Sequence, residues 1–383
     1  MPHSKRRIAL PSMTPGTGRS LHYHRFGKAG AGPKAYLQAA IHANELPGAM
    51  ALHHLMPMLV AADRRGGIKG EIVVVPTVNP IGLAQLVGNN HLGRYDFLGR
   101  DNFNRNWPDL ADAVATRVGG RLGRNAGDNI GMIRAAALAA LSRMKPVNEL
   151  QTLRVEVMKL AADADIVLDL HCDMQALLHL FISCKDWPGP ARALAGDIGA
   201  EATLYNEPYP QSLTFSGVNS ALWARLAERF PAANIPQACF SATIEYRGQH
   251  DVNHKLGEAD ARNLYRFLVR RGIISGRAGK LPRLRAEATP IAGMDVGYAP
   301  RTGMLVYHAP KGSRVRKGAP VCEVIDPSDA RGPKARDQVV ARTDGVLFSR
   351  KLDGRLAWPG MVVFRIAGPR PLAHRKGLSG LDD

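Results

Sequence analysis

Ala35-Tyr36-Leu37-Gln38-Ala39-Ala40-Ile41-His42-Ala43-Asn44-Glu45-Leu46-Pro47-Gly48 joins an apolar run, a chemical motif and a helix start in one short stretch. Ala35 to Ile41 reads as a buried strand, and Ala49 to Ala62 reads as a helix. His42 therefore leaves a strand end, and Glu45 sits near the helix start. Far downstream, Ile166-Val167-Leu168-Asp169-Leu170 reads as a second buried strand, and His171 leaves its end. In open α/β sheets, ligands collect at the carboxyl ends of the strands. Two strand ends thus deliver two imidazoles and one carboxylate to one edge. That is a common ligand set of a catalytic zinc, which keeps a fourth position open for water. H-x-x-E alone arises by chance, and a His at a strand end is usually polar punctuation. The joint placement is what points to a metal.

Outward from these strands, residues 34 to about 275 alternate strand and helix patterns. Glu71 to Val78, interrupted at Pro76, Leu177 to Ser183 and Ala238 to Glu245 read as strands. Asn129 to Met144, Val147 to Asp163 and Glu258 to Arg271 read as helices. Such alternation predicts an α/β sheet with helices on both faces. The composition changes at Gly276 to Pro290, which is rich in Arg, Gly and Pro. Beyond it, short strands separated by glycines predict a small all-β, barrel-like domain. The expected division is a catalytic domain over 1–275, a β domain over 285–368 and a flexible tail over 369–383.

The chain has 383 residues, of which 45% are hydrophobic and 22% charged. This is ordinary for a soluble globular protein and ample for a large core. Met1 to Arg7 is basic, but Ile8-Ala9-Leu10-Pro11 is too short for a signal-peptide core. No run reaches the roughly 18 apolar residues of a membrane span. The expectation is a cytoplasmic protein without a membrane partner. The net charge of +18 invites a nucleic-acid reading. Yet Lys and Arg are spread along the chain, with no aromatic-interleaved stripe of the kind single-strand binders use. A solvated basic surface that attracts anionic substrates accounts for the charge. Cys172, Cys184, Cys239 and Cys322 show no C-x-x-C pairing and are expected to be reduced. Cys172 adjoins His171, but neighbours on a strand point to opposite faces.

Two further polar islands carry chemistry. Asp101-Asn102-Phe103-Asn104-Arg105-Asn106-Trp107-Pro108 places an amide beside a guanidinium. Asn104 and Arg105 suit a clamp on a carboxylate, with Arg94 and Arg100 just upstream. An Asn-capped surface loop is the competing reading. Ser241-Ala242-Thr243-Ile244-Glu245-Tyr246-Arg247-Gly248 ends an apolar strand on Glu245, a costly place for an unpaired carboxylate. Glu245 is either a general base beside a metal-bound water or the partner of Arg247 across a turn.

H-A-N-E, F-N-R-N-W-P, D-L-H-C-D and T-I-E-Y-R-G, in this order, resemble the succinylglutamate desuccinylase/aspartoacylase family of M14-type zinc carboxypeptidase-like hydrolases. The resemblance covers about residues 35 to 275 and extends into the β-rich end. It implies a mixed sheet flanked by helices, with His42, Glu45 and His171 as ligands of one Zn²⁺ per chain. It implies Glu245 as general base and acid, and Asn104 with Arg105 as the holder of the substrate carboxylate. Arg94 resembles the arginine that steadies the oxyanion, and Arg100 competes for that place because the following loop is long. Gly312 to Pro320 resembles a biotinyl/lipoyl-like barrel, but neither M-K-M nor D-K-A occurs. The β-rich end is therefore expected to be a structural or substrate-shielding appendage. The activity implied is deacylation of an N-acyl amino acid or related small carboxylate. A carboxypeptidase acting on short peptides is the alternative, and a basic nucleic-acid-binding protein the more distant one. The expected partners are small molecules and, in one reading, a second copy of the chain.

Overall fold

The computed structural model describes residues 3–206 and 213–375. Its centre is a nine-stranded mixed sheet. In order across the sheet the strands are Ser4–Ala9, Ser20–Gly27, Glu71–Val75, Lys34–Ala39, Ile166–Asp173, Phe240–Gly248, His179–Ser183, Ala202–Asn206 and Thr289–Pro290. Lys34–Ala39, Ile166–Asp173 and Phe240–Gly248 run parallel at the middle, and His179–Ser183 returns antiparallel beside the last of them. Strand alternation divides the core in two. Tyr36, Val73 and Val167 face the helices Ala111–Val118, Ala126–Arg143, Glu149–Ala161 and Phe215–Arg229. Leu37, Val74 and Leu168 face the helices Pro47–Arg64, Gly189–Ile198 and His254–Arg270. Burial on both faces explains why these strands read as continuous apolar runs rather than as alternation.

Element ends follow local chemistry. The strand expected over Glu71 to Val78 stops at Val75, before Pro76, which lacks the N–H a ladder needs. Asn125, Asn148 and Asn253 cap the helices that follow them; Asn148 Oδ1 accepts from Gln151 N at 2.8 Å and Asn253 Oδ1 from Leu256 N at 2.9 Å. Two strands are longer than expected. Ile166–Asp173 runs past His171, and Phe240–Gly248 runs past Glu245. His171 and Glu245 are thus side chains within strands, paired directly across the ladder.

The C-terminal strands form two further sheets. Met294–Tyr298, Val362–Ala367, Gly345–Arg350 and Arg314–Val315 make one, and Arg336–Val340, Pro320–Ile325, Gly303–Tyr307 and Leu356–Ala357 the other. Leu305, Val324, Leu347 and Ile366 meet between them. The C-terminal strands do not stand apart from the large sheet. Thr289–Pro290 joins the large sheet beside Leu204 and Tyr205. Gln175–Ala176, just after His171, pairs with Ser349–Arg350. Phe181 and Leu204 of the large sheet share a core cluster with Met294, Val296, Phe348 and Val362. The C-terminal strands are therefore locked to the segment that carries the site. The tail expected over 369–383 is tethered at its start, since Leu372 N donates to Ala292 O at 2.9 Å and Arg375 is buried; residues 376–383 lie outside the described residues. No helix among the described residues is long and apolar enough to cross a membrane.

Candidate active site

The H-A-N-E segment leaves its strand through Ala40, whose φ of 60° is the left-handed region that turns the chain. Asn79 Nδ2 donates to Ile41 O at 2.7 Å, and Ala43 N donates to Gly93 O at 2.8 Å. This loop therefore rests on a buried amide and on the Gly93-Arg94 backbone. Pro47 opens the next helix at its first turn, where a missing N–H costs nothing. His42 and Glu45 are consequently fixed three residues apart at a rigid corner.

His42, Glu45 and His171 converge, with one potential ligand atom of each lying within 4.8 Å of the others. His42 Nδ1 lies 3.0 Å from Glu45 Oε1, and His171 Nδ1 lies 2.8 Å from Glu45 Oε2. The outward nitrogens are engaged. His42 Nε2 donates to Asn102 Oδ1 at 2.9 Å, and His171 Nε2 donates to Asp169 Oδ2 at 2.9 Å. These partners point Nδ1 of both rings at the Glu45 carboxylate, where each is free to serve as a ligand atom once unprotonated. Two imidazoles with one carboxylate this close form a zinc-type donor set that a shared cation would satisfy. The supporting shell reaches deeper: Tyr36 OH donates to Gln38 Oε1 at 2.8 Å, and Gln38 Nε2 donates to Asp169 Oδ1 at 2.9 Å. Such outer partners orient metal-binding histidines. Sequence reasoning passed over Asn102, Gln38 and Asp169. Polar residues inside buried strands were the available signal, because buried polar groups must find partners.

Charge follows this arrangement. Burial pulls the His42 imidazole down, with Glu45 opposing. Burial also pulls His171 down, but Asp169 and Glu45 override it and hold the ring well above its usual range. Glu45 resists burial through the two imidazoles and sits far below the carboxylate range. Glu245 differs, for burial lifts its carboxyl to about 8. Its Oε2 is buried with no hydrogen-bond partner. Arg247 instead pairs with Asp260 on the His254–Arg270 helix, so the alternative reading of Glu245 as its partner across a turn is set aside.

These groups line a cavity of about 250 Å³. Arg94 enters it, with Nη1 3.2 Å from Glu45 Oε1. Arg100 does not; it is exposed, at a φ of 57°, and does not line the cavity. Its expected competition for the oxyanion position is corrected accordingly. The expected Asn104-Arg105 clamp is divided. Asn104 Oδ1 accepts from Trp107 Nε1 at 3.1 Å and Phe215 N at 2.9 Å, while Nδ2 lies 3.4 Å from Asp169 Oδ2 and 3.2 Å from His171 Nε2. Its amide frames the candidate metal ligands. Arg105 lines the cavity and donates to Asn104 O at 2.9 Å. Cys172, expected to face away, also reaches the cavity wall, but burial pushes its thiol far up and leaves it a poor nucleophile. All four cysteines are free, and Cys172, Cys239 and Cys322 are buried.

The wall opposite the ligands was not foreseen residue by residue. Lys351, Arg355, Trp358, Met361 and Arg365 come from the C-terminal strands and their turns. Asp173 ties them in: Arg365 Nη1 donates to its Oδ2 at 2.8 Å, and Ser349 Oγ bonds the same oxygen.

Residues 31–125 match the succinylglutamate desuccinylase/aspartoacylase catalytic-domain family. The matched segment holds H-A-N-E, Arg94 and F-N-R-N-W-P, whereas D-L-H-C-D and T-I-E-Y-R-G lie beyond it. The activities in the family's name are hydrolytic. Similar solved structures include a candidate succinylglutamate desuccinylase/aspartoacylase of Shewanella frigidimarina NCIMB 400, with TM-score 0.83, 19% identity and coverage of 96% of this chain and 97% of that one. A candidate protein of the same family from Shewanella amazonensis SB2B gives TM-score 0.82, 23% identity and coverage of 95% and 98%. The succinylglutamate desuccinylase/aspartoacylase of Rhodobacter sphaeroides gives TM-score 0.65, 18% identity and coverage of 96% and 95%. At these identities the likeness is one of fold, and it runs nearly the whole length of the chain. Among curated proteins, none matches the sequence.

Proposed function

We propose that this chain is a zinc-dependent amidohydrolase that removes an acyl group from an N-acyl amino acid or a related small carboxylate. The observation that carries the reading is the meeting of His42, Glu45 and His171 beside the orphaned carboxylate oxygen of Glu245. A zinc ion held by His42, Glu45 and His171 would supply Lewis acidity to the amide carbonyl and to the attacking water. The bound cation would favour the ionised form of Glu245, whose carboxyl burial otherwise lifts to about 8; as carboxylate Glu245 takes the proton of that water and returns it to the leaving amine. Arg94, poised at Glu45, faces the charge that develops on the carbonyl oxygen; removing one such donor typically costs about 3 kcal/mol. Arg105 grips the substrate carboxylate, and Asn104 keeps His171 and Asp169 in register.

A carboxypeptidase would use the same groups. The wall of Arg355, Trp358 and Met361 limits the cavity, which suits a small acyl arm better than a peptide. A nucleic-acid-binding protein has no use for a buried carboxylate beside a three-donor cluster. The test is zinc analysis of the purified chain together with turnover of N-acyl amino acids and of short peptides. About one zinc per chain and preferential release of free amino acid from N-acyl substrates is the expected result. Turnover of peptides alone would move the reading to the peptidase. Absence of zinc, with no hydrolysis after zinc addition, would overturn both.

A further inference from the structure

His179 is a buried imidazole that the hydrolysis proposed above leaves unused. It stands directly across the ladder from Glu245, on the side away from His171. Directly paired residues present their side chains on one face, so His171, Glu245 and His179 form a row along the cavity wall. All three line the cavity, and His179 is 1% exposed. Its ring is held in place, with Phe348 at 4.8 Å and Phe181 at 5.3 Å between centroids. Nδ1–H donates to Leu177 O at 2.8 Å. That bond determines the tautomer: Nε2 carries a lone pair and no proton. Among the described residues Nε2 has no hydrogen-bond partner.

We propose that His179 is a substrate-positioning residue whose Nε2 accepts a hydrogen bond from a hydroxyl or N–H on the substrate arm lying beyond Glu245. The claim rests on the N-acyl substrate reading. Neighbouring strands lie about 4.8 Å apart, so His179 is on the order of 10 Å from His171 across two strands. At that distance it meets a distal group and not the scissile bond. The chemistry of that group follows from the lone pair. Burial holds the imidazole down to about 4, so the ring stays neutral at physiological pH. A carboxylate arm would bring an anion against this lone pair with no proton between them. A donor satisfies it, and a site built to bond a donor rejects analogues that lack one.

Matched substrates test this on the zinc-loaded protein. N-acetylserine with N-acetylalanine, and N-acetylasparagine with N-acetylaspartate, vary the amino-acid arm; N-glycolylalanine with N-acetylalanine varies the acyl arm. In the arm that reaches His179, the donor-bearing member is expected to have at least tenfold higher kcat/KM. His179→Phe should cost that member at least tenfold more than its partner. His179→Gln, which offers an amide oxygen near the position of Nε2, should restore part of the preference. Calorimetric binding of the same pairs reads the preference without turnover, so failure of hydrolysis alone would count against the substrate reading and leave this claim to binding. Equal affinity for the members of every pair, or equal losses for both members in His179→Phe with no rescue by His179→Gln, overturns the proposal.

Discussion

Glu245 and His171 face each other across one ladder rung, yet they should fail in different ways when changed. His171→Ala removes a ligand and should lose most zinc and activity together. Glu245→Gln keeps shape and should keep zinc, while turnover falls by about two orders of magnitude or more, as for a lost general base. Metal analysis beside single-turnover rates separates the two, and near-normal turnover in Glu245→Gln would remove it from the mechanism. Asn102→Ala tests the outer shell, because it takes the acceptor from His42 Nε2. Zinc affinity should fall roughly 10- to 100-fold, measured by competition with a chelating dye. Asp186 makes a separate statement about stability. Burial lifts its carboxyl to about 7, and Oδ2 has no partner. The unfolded chain ionises this group near pH 4, whereas the folded chain holds it neutral up to about 7. Its contribution is therefore fully present below about pH 4, declines as pH rises between about 4 and 7, and is lost above. Asp186→Asn should raise stability at pH 8 by up to roughly 4 kcal/mol and flatten the slope in that window. Urea unfolding at pH 5 and pH 8 would show it, and an unchanged slope would refute the assignment.

At the scale of elements, the corner that presents His42 and Glu45 depends on a close backbone approach. A Cβ on Gly93 would lie 2.5 Å from Asn44 N and 2.8 Å from Ala43 C. Backbone cannot yield as a flexible side chain can, so Gly93→Ala should push the H-A-N-E loop and Arg94 apart. The expected outcome is loss of both zinc affinity and rate, with global stability reduced by about 1–3 kcal/mol. Zinc titration and thermal melts of the same samples check it; wild-type zinc affinity would mean that the loop is not braced here. The elements also show why sequence reading went astray at two strands. Apolar periodicity ends at Leu170 and Ile244, but the ladder continues to Asp173 and Gly248. The polar residues there are paid for by the site rather than by solvent, so their chemistry resembles that of a strand end.

Across the whole molecule, the Asp173–Arg365 pair joins the nine-stranded sheet to the C-terminal strands at the cavity wall. Both groups are shielded, with side-chain exposures of 18% and 6%. Removing one partner of a buried pair typically costs about 3–5 kcal/mol. Arg365→Met should show that loss by denaturant unfolding, with turnover reduced because the wall shifts. A shared core cluster and the pairing of Gln175–Ala176 with Ser349–Arg350 make the two parts one cooperative unit. Calorimetry of the wild type should give a single transition. Two transitions, or an Arg365→Met protein as stable as wild type, would argue for an independent appendage.

The sequence by itself determined the two-faced α/β core and the three residues of the candidate metal site. Both rest on local chemistry: continuous apolar runs demand burial on both faces, and His42, Glu45 and His171 stand beside those runs where strands and helix meet. Glu245 was legible as a carboxylate ending an apolar strand, and Arg94 only through its place upstream of F-N-R-N-W-P and the family resemblance; both line the cavity. Tertiary structure alone decided the rest. That the amide oxygen of Asn104 is shared with the distant Phe215 as well as the nearby Trp107, and that Arg100 is exposed at a φ of 57°, cannot be read from residue pattern. The same holds for the wall of Arg355, Trp358 and Arg365. Nothing in the spacing of Gly303 to Ala367 says that these strands lock onto the segment after His171, because a strand's pattern specifies which face is buried but not which neighbour covers it. His179 shows the difference most directly. In sequence it is one polar residue inside the apolar run Leu177 to Ser183, and only the register with Glu245 makes it part of the site.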